Sequence, residues 1–257
     1  MKPVVVDQSG WGLLRVTGKD RVRFLQGMLT NDVALVPVGG FVRAVLLSVK
    51  GRVLAVVEVL NESDAFLLLT EPVTAEIVRT VLGRHAVMDD VAFAPVAAAV
   101  HRIWGTPAEV WTAPLLFDTM KPSAPEEVEA RRIEGGLPRY GVDVSEDHFA
   151  VEANLDSCIS TTKGCYLGQE VTTRLHARGH VNRRLVGIRL GKGGVVAAGS
   201  PIGSVARPDA GQITSSIVSP DFGPIALGYV HRSSWEPGTV VTVGEHEGVV
   251  VRLPFSA

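Results

Sequence analysis

The sequence predicts an α+β protein with an antiparallel sheet in its N-terminal part and a small antiparallel β-barrel at its C-terminal end. In the N-terminal part, three β-rich runs precede an amphipathic helix and further β-rich runs, an order typical of antiparallel α+β folds. Beyond Gly179, short β-rich runs are separated by Gly and Pro, as in small closed barrels. The 257 residues are 46% hydrophobic, which is enough for packed cores in about two domains.

The N-terminal elements follow from local patterns of apolar residues and turns. Asp20 is a suitable helix cap, and apolar residues recur behind it at helical spacing. Lys50-Gly51 joins two β-rich runs and predicts a hairpin. Pro72 suits the first turn of a second helix, which Gly83 can end. The runs that predict strands in this part are 12–17, 42–49, 52–60, 65–70, 87–91 and 96–104.

The second half begins with a Pro-rich stretch, residues 105–125, which is either a connection or a domain boundary. Residues 126–133 predict a helix, because the acidic residues of its first turn suit the helix dipole. Another helix is predicted over residues 168–177. The barrel strands are predicted at 181–190, 200–206, 212–218, 225–230, 239–243 and 248–253.

Charge is unevenly distributed along the chain. The net charge of −2 argues against a uniformly basic nucleic-acid-binding protein. Residues 163–192 nevertheless hold seven Lys or Arg and one acid, which predicts either a cleft for an anionic ligand or a solvated surface. Aromatic residues do not alternate with these bases, so the pattern does not support stacking on nucleic acid.

Cysteine content and hydropathy bear on the compartment. Cys158 and Cys165 are too few for a disulfide framework or a conventional four-thiolate metal site. The N-terminal residues lack the apolar run of a secretory signal, and no stretch has the length and apolarity of a membrane span. We therefore expect a soluble, cytoplasmic protein, monomeric and without a membrane partner.

The stretch with the most chemical variety is residues 163–170, KGCYLGQE. It holds an amine, a thiol, a phenol, an amide and a carboxylate around two glycines, which allow a tight backbone turn. Cys165 precedes a predicted helix, whose first backbone N–H groups favour a thiolate, and Lys163 adds a positive charge nearby. The stretch predicts a reactive thiol, against the alternative of a buried cysteine in a glycine turn.

Residues 163–170 resemble the signature K-G-C-Y-x-G-Q-E of the YgfZ-type folate-binding family, which is related to the aminomethyltransferase (T-protein) of the glycine cleavage system. Shorter matches occur in the same order along nearly the whole chain. They are residues 18–21, 24–27 and 30–33, the R-x-E-x-G-x-P segment at 132–138, the N-L-D at 154–156, Gly179 with Arg183, and the A-L-G-Y-V at 226–230.

The resemblance implies a ring-like arrangement of two α+β (ferredoxin-like) subdomains and a C-terminal antiparallel β-barrel. Residues 1–104 would be the N-terminal α+β folate-binding region, 105–178 its second part with the cysteine motif, and 179–257 the barrel. A central cavity would hold tetrahydrofolate or a derivative. The residues it implies are Cys165 as a reactive or ligating thiol beside Lys163, Glu134 on the pterin, Arg174 and Arg183 on the glutamate carboxylates, and Tyr166 and Gln169 as further folate contacts.

The function implied is that of a folate-binding accessory protein for the assembly or repair of iron–sulfur clusters in client enzymes, and through them for tRNA modification. The alternative is a folate-dependent aminomethyl or one-carbon transferase. The transferases carry a catalytic aspartate in a G-G-I-L-D-D-like strand, whereas the matching residues here, 50–56, contain no carboxylate. Enzyme activity is therefore left open.

Two further alternatives come from the residues themselves. A thiol enzyme would pair Cys165 with His176 or His180 as the base. A metal site on the two histidines is not expected, because Gly179 interrupts a helix between them and no H-E-x-x-H pattern is present.

Overall fold

The computed structural model describes residues 3–104, 121–178, 181–191 and 194–256, with the backbone alone for residues 176–178. These residues form a five-stranded sheet, a two-stranded sheet and a closed six-stranded barrel. The predicted α+β class with a C-terminal antiparallel barrel is confirmed. Within the described ranges, no helix combines the length and apolarity that crossing a bilayer requires.

The N-terminal sheet is antiparallel, with the strand order β3-β4-β5-β2-β6. Its strands alternate side chains between two faces, and both faces are covered. One face packs on helices α1 and α2, and the other packs on later parts of the chain. The elements are β2 Gly12–Thr17, α1 Arg21–Met28, β3 Phe41–Leu47, β4 Val53–Asn61, β5 Phe66–Thr70, α2 Ala75–His85 and β6 Ala92–Pro95.

A smaller α+β unit lies between the sheet and the barrel. Strand β1, Val4–Asp7, pairs antiparallel with β7, His101–Trp104. Helix α3, Pro125–Glu134, contacts β1 on one side and the barrel on the other. Two short 3-10 turns, Ala150–Glu152 and Asp156–Cys158, follow, and α4 spans Gln169–Arg178.

The barrel closes in the strand order β10-β11-β8-β13-β12-β9, and all its pairs are antiparallel. Its interior is filled by side chains such as Ile188, Ile202, Val230 and Val250. The strands are β8 Arg183–Leu190, β9 Pro201–Ser204, β10 Gly211–Ser219, β11 Gly223–His231, β12 Val240–Val243 and β13 His246–Val251.

One apolar cluster, the shared core, joins all three parts of the fold. It contains Val45 and Val53 from the N-terminal sheet, Ile133 from α3, and Leu185 and Leu227 from the barrel. The three parts therefore bury apolar surface against one another and hold a fixed relative arrangement.

Four local predictions were wrong. The run at 96–104 forms a strand only over His101–Trp104. Residues 87–91 form no strand; the backbone turns there, with the Val91 N–H donating to the Asp89 carbonyl, and β6 starts at Ala92. Gly83 does not end α2, which continues to His85. Asp20 precedes α1 but makes no side-chain cap, because its carboxylate accepts the Asp90 N–H at 2.9 Å.

Candidate functional site

Residues 163–168 form an elbow that enters α4 and packs on the β3–β4 hairpin. Gly168 has φ +78°, and a Cβ there would lie 2.5 Å from the Ser48 carbonyl oxygen. Gly51 in the hairpin has φ +73°, and a Cβ there would lie 2.9 Å from the Val171 side chain. Only glycine fits both positions, so the two turns interlock and hold the start of α4 against the sheet.

Lys163 fastens the elbow to the end of α1. Its buried ammonium donates hydrogen bonds to the carbonyls of Gln26 at 2.7 Å, Leu29 at 2.6 Å and Asn31 at 2.9 Å. Carbonyls at a helix C-terminus lack partners within the helix and attract cations. Burial lowers the pKa of Lys163 to about 8, which leaves the amine largely protonated at neutral pH. All three of its protons are engaged.

Tyr166 and Gln169 also serve the elbow itself. The Tyr166 side chain is buried in the shared core, and burial raises its pKa. Its backbone N–H donates to Gln169 Oε1 at 3.2 Å, just before the first turn of α4. The Leu167 N–H donates to the Gly27 carbonyl at 2.9 Å, a second link to α1. This scaffold fixes the backbone on both sides of residue 165.

Cys165 is exposed on this fixed backbone, whereas Cys158 is buried. Burial raises the pKa of the Cys158 thiol, which disfavours its thiolate. Of the two sulfurs, the one at 165 is therefore available to an external reagent or partner. His176 and His180, the bases of the thiol-enzyme hypothesis, have side chains outside the described residues. Among the described residues, no group of three or more His, Cys, Asp or Glu is arranged to hold a metal ion.

Glu134 lies away from the elbow, at the contact between α3 and the barrel. Its carboxylate is fully buried, with Oε2 accepting from Arg131 at 2.5 Å and Oε1 accepting from the Ser219 hydroxyl at 2.5 Å. Its carbonyl accepts the Phe255 N–H at 2.8 Å. Glu134 thus joins α3 to β10 and to the C-terminal segment, and the structure does not bring it together with Cys165.

A cavity of about 690 Å³, here called the junction cavity, lies where the three parts of the fold meet. Its size is in the range of small-molecule sites. Gly135 lines the cavity, but the preceding residue, Glu134, does not. The lining residues are Phe41, Val42 and Arg43 of β3, Gly135 and Leu137 after α3, Asn154, Asp156 and Ser157 around the second 3-10 turn, Arg184 of β8, and Leu253 and Pro254.

The polar side chains of the described residues that line the junction cavity are a carboxylate, an amide, a hydroxyl and two guanidinium groups. Asp156 pairs with Arg184 at 2.7 Å, and both side chains are partly exposed to the cavity side. Asn154 Nδ2 donates to the Gly136 carbonyl at 2.9 Å, which fixes this turn. Sequence reasoning did not single out Asp156 or Arg184 as site residues, although the N-L-D match at 154–156 was the available signal.

The basic residues of 163–192 are divided among separate places. Arg174 lies on the exposed side of α4 and pairs with Glu170 at 2.7 Å. Arg183 and Arg184, adjacent on β8, line two different cavities because neighbouring side chains on a strand point in opposite directions. Among the described residues these bases do not line one common space, and the choice between an anion-binding cleft and a solvated surface stays a prediction.

Comparison with known proteins supports the predicted family. Residues 183–256 match the model of the glycine cleavage T-protein C-terminal barrel domain. The chain is 26% identical to a putative chloroplastic transferase of Arabidopsis thaliana, over 99% of this chain and 71% of the relative. It is 26% identical to the tRNA-modifying protein YgfZ of Hamiltonella defensa, over 70% of this chain and 68% of the relative. An aminomethyltransferase of Herpetosiphon aurantiacus is 29% identical over 62% of this chain but only 43% of its own length.

Among solved structures, the aminomethyltransferase T of the glycine cleavage system from Bartonella henselae superposes with a TM-score of 0.83. The match covers 99% of this chain and 86% of that chain at 18% sequence identity, and it shows a common fold. The predicted fold and the predicted resemblance to YgfZ-type proteins and aminomethyltransferases are confirmed by these matches.

Proposed function

We propose that this chain, a relative of YgfZ-type proteins and glycine cleavage T-proteins, binds tetrahydrofolate or a derivative in the junction cavity. The observation that carries the proposal is the cavity itself: about 690 Å³ between three parts of the fold, lined by a carboxylate and two guanidinium groups. A reduced folate needs an acceptor for the N–H groups of its pterin and cations for its glutamate carboxylates, and both kinds of group line this space.

Asp156 is the proposed acceptor for the pterin. A carboxylate can accept two N–H bonds from an aminopyrimidinone edge, and Asp156 lines the cavity whereas Glu134 is enclosed between Arg131 and Ser219. A direct contact from Glu134 requires its carboxylate to turn away from Ser219. Arg184 pairs with Asp156 at 2.7 Å and would orient that carboxylate, whereas Arg43 is the proposed partner of a glutamate carboxylate. When bound, the folate would supply one-carbon chemistry; the residues named here bind and orient it.

Titration calorimetry with tetrahydrofolate and 5-formyltetrahydrofolate tests this assignment. Loss of a charge-assisted pair costs about 1.5–3 kcal/mol, so Asp156→Asn should weaken binding about 10- to 100-fold. Glu134→Gln measures the alternative acceptor in the same assay. Asp209→Asn, a carboxylate outside the cavity that pairs with Arg207, is the matched control and should bind like the unaltered protein. Absence of binding by the unaltered protein would refute the proposal. The same titration tests the folate contacts predicted for Tyr166, Gln169, Arg174 and Arg183, none of which lines the junction cavity.

We further propose that Cys165 serves an accessory role in the assembly or repair of iron–sulfur clusters in cytoplasmic client enzymes. The exposed sulfur on a braced elbow supports this, because a client must be able to reach it. Two cysteines cannot supply four thiolates, so a cluster would be held only jointly with a client. The relative described as a tRNA-modifying protein supports a link to tRNA modification through such clients. Cys165→Ala should fail to restore an iron–sulfur enzyme in cells lacking this protein, whereas Cys158→Ala that folds should restore it.

The aminomethyltransferase activity of some relatives is a second candidate, and one observation separates it from the first. The strand that matches the transferases' catalytic aspartate places Ala55, which is fully buried, in the core beneath the helices, and Ala55 does not line the junction cavity. We expect no turnover of an aminomethyl donor with tetrahydrofolate, since no carboxylate is available on that strand segment to direct the reaction. Detection of methylene-tetrahydrofolate formation would favour the transferase instead.

A further inference from the structure

A second cavity of about 720 Å³, here called the barrel groove, lies between residues 141–148 and one end of the barrel. Its walls come from the starts of β8 and β10 and the end of β11. No described residue lines both this groove and the junction cavity. The folate proposal uses none of its side chains, so its features need a separate explanation.

Three side chains form a layered stack in the wall of the groove. The His148 ring stacks on the Tyr229 ring with centroids 4.5 Å apart and planes at 24°. The Arg183 guanidinium lies 5.2 Å from the Tyr229 ring centroid. Tyr229 is only 6% exposed, and its hydroxyl has no hydrogen-bond partner among the described residues. A buried hydroxyl without a partner is unfavourable, and an acceptor oxygen brought by a ligand removes that cost.

The stack presents hydrogen-bond donors. His148 Nδ1 accepts the Ser145 N–H at 3.1 Å, so in the neutral ring the proton is on Nε2. Burial and the nearby Arg183 charge lower the pKa of His148, which favours that neutral form. The hydroxyl of Tyr229, the Nε2–H of His148 and the guanidinium of Arg183 are all donors, although Arg183 Nη2 already donates to the Asp147 carbonyl at 2.9 Å. An oxyanion is the kind of group that accepts from such donors.

The acids along the groove limit the charge of what it can take. Asp143 is saturated, because its oxygens accept from Arg132, Thr214 and Ser215. At the rim, Asp209 pairs with Arg207 at 3.0 Å. The remaining lining acid, Asp147, and Glu152 near Arg183 add negative charge, which disfavours polyanions such as nucleic acid. Among the described groove residues, Arg183 is the remaining cation, so at most a single negative charge of a ligand can be matched there.

We infer that the barrel groove is a second ligand site, which binds a small organic carboxylate through Tyr229, Arg183 and His148, independently of folate. The carboxylate oxygens accept from the tyrosine hydroxyl and the guanidinium, and the remainder of the molecule occupies the groove along β10.

Ligand-observed NMR titration of the whole protein with benzoate tests the inference, with inorganic phosphate as a second probe. Benzoate should bind, and Tyr229→Phe and Arg183→Gln should each weaken it about tenfold or more. Arg79→Gln, an exposed arginine paired with Glu76 on α2 and not among the lining residues of the groove, is the matched control and should change the affinity less than twofold. Absence of benzoate binding, unchanged binding by Tyr229→Phe, or binding of phosphate in place of benzoate would overturn the inference.

Two readouts separate this site from the folate site and from a structural role. Saturating tetrahydrofolate should leave the benzoate affinity unchanged, and Arg183→Gln should leave the tetrahydrofolate affinity unchanged; displacement of one ligand by the other would show a single site. Tyr229→Phe should unfold at the same or a higher urea concentration than the unaltered protein, because no described residue is a hydrogen-bond partner of the lost hydroxyl. A marked loss of stability would mean that the hydroxyl already has a partner, and would overturn the site.

Discussion

Replacing Lys163 by methionine removes the ammonium that fastens the elbow to α1 while keeping a long, unbranched side chain. The change deprives three carbonyls, the buried one of Leu29 and the part-buried ones of Gln26 and Asn31, of a charged donor. Each buried acceptor left without a partner costs about 1–3 kcal/mol. Removing the amine also removes its own desolvation cost, which lowers the pKa of Lys163 from 10.5 to about 8. That shift corresponds to about 3 kcal/mol and offsets part of the loss.

The expected net loss is therefore centred on about 3 kcal/mol in the free energy of unfolding. Urea unfolding followed by circular dichroism at pH 7 measures it, with Lys50→Met as the control, since Lys50 is exposed at the hairpin tip. The control should change stability by less than about 0.5 kcal/mol. A Lys163→Met protein within about 1 kcal/mol of the original would refute the structural role and leave the lysine free to act on the neighbouring thiol.

Two other changes follow from the same packing and from one buried acid. Gly168→Ala should destabilise the fold by about 2–4 kcal/mol in urea unfolding, because the residue has φ +78° and its Cβ would meet the Ser48 carbonyl. The control is Gly164→Ala in the same elbow, which should be nearly neutral because a Cβ there meets no atom within 4 Å. Equal effects of the two changes would argue against the interlocked turns. Burial raises the pKa of Glu71, whose Oε1 accepts the Tyr140 N–H at 3.1 Å. The ionised acid therefore costs stability above its folded-state pKa, and this cost vanishes below the unfolded value of about 4.3. In urea unfolding, Glu71→Gln should be more stable than the original protein at pH 7 and equally stable near pH 4. A variant that is less stable at pH 7 would show that burial does not destabilise the ionised Glu71.

Much of the fold could be predicted because its signals are local. The hairpin at Lys50-Gly51, helix α3 and the barrel strands each follow from periodicity or turn residues within a few positions. The failures had distant causes. Asp20 was expected to cap α1, but a backbone N–H some 70 positions later takes its carboxylate. The run at 87–91 has β-forming residues, yet a turn at Asp89 ends it before it can pair.

In the candidate site, too, the features set by neighbouring residues could be predicted and those set by contacts distant in sequence could not. The elbow at Cys165 could be located from its residue types, whereas the role of Lys163 could not, since its acceptors lie over 130 positions earlier in the chain. Asp156 and Arg184 meet only after the 3-10 turn and β8 are placed side by side. Alternation along β8 predicts that Arg183 and Arg184 diverge, but not which space each side chain enters.

The shared core bears on how this protein can be divided. Leu185 and Leu227 lie on the outer surface of the barrel. They are shielded from water because Val53 and Ile133, from other parts of the fold, pack in the same core. A barrel fragment that begins at β8 would expose this apolar surface to water. We expect such a fragment to aggregate when it is expressed alone. The complete chain should therefore unfold in a single cooperative transition, without an intermediate in which only the barrel is folded.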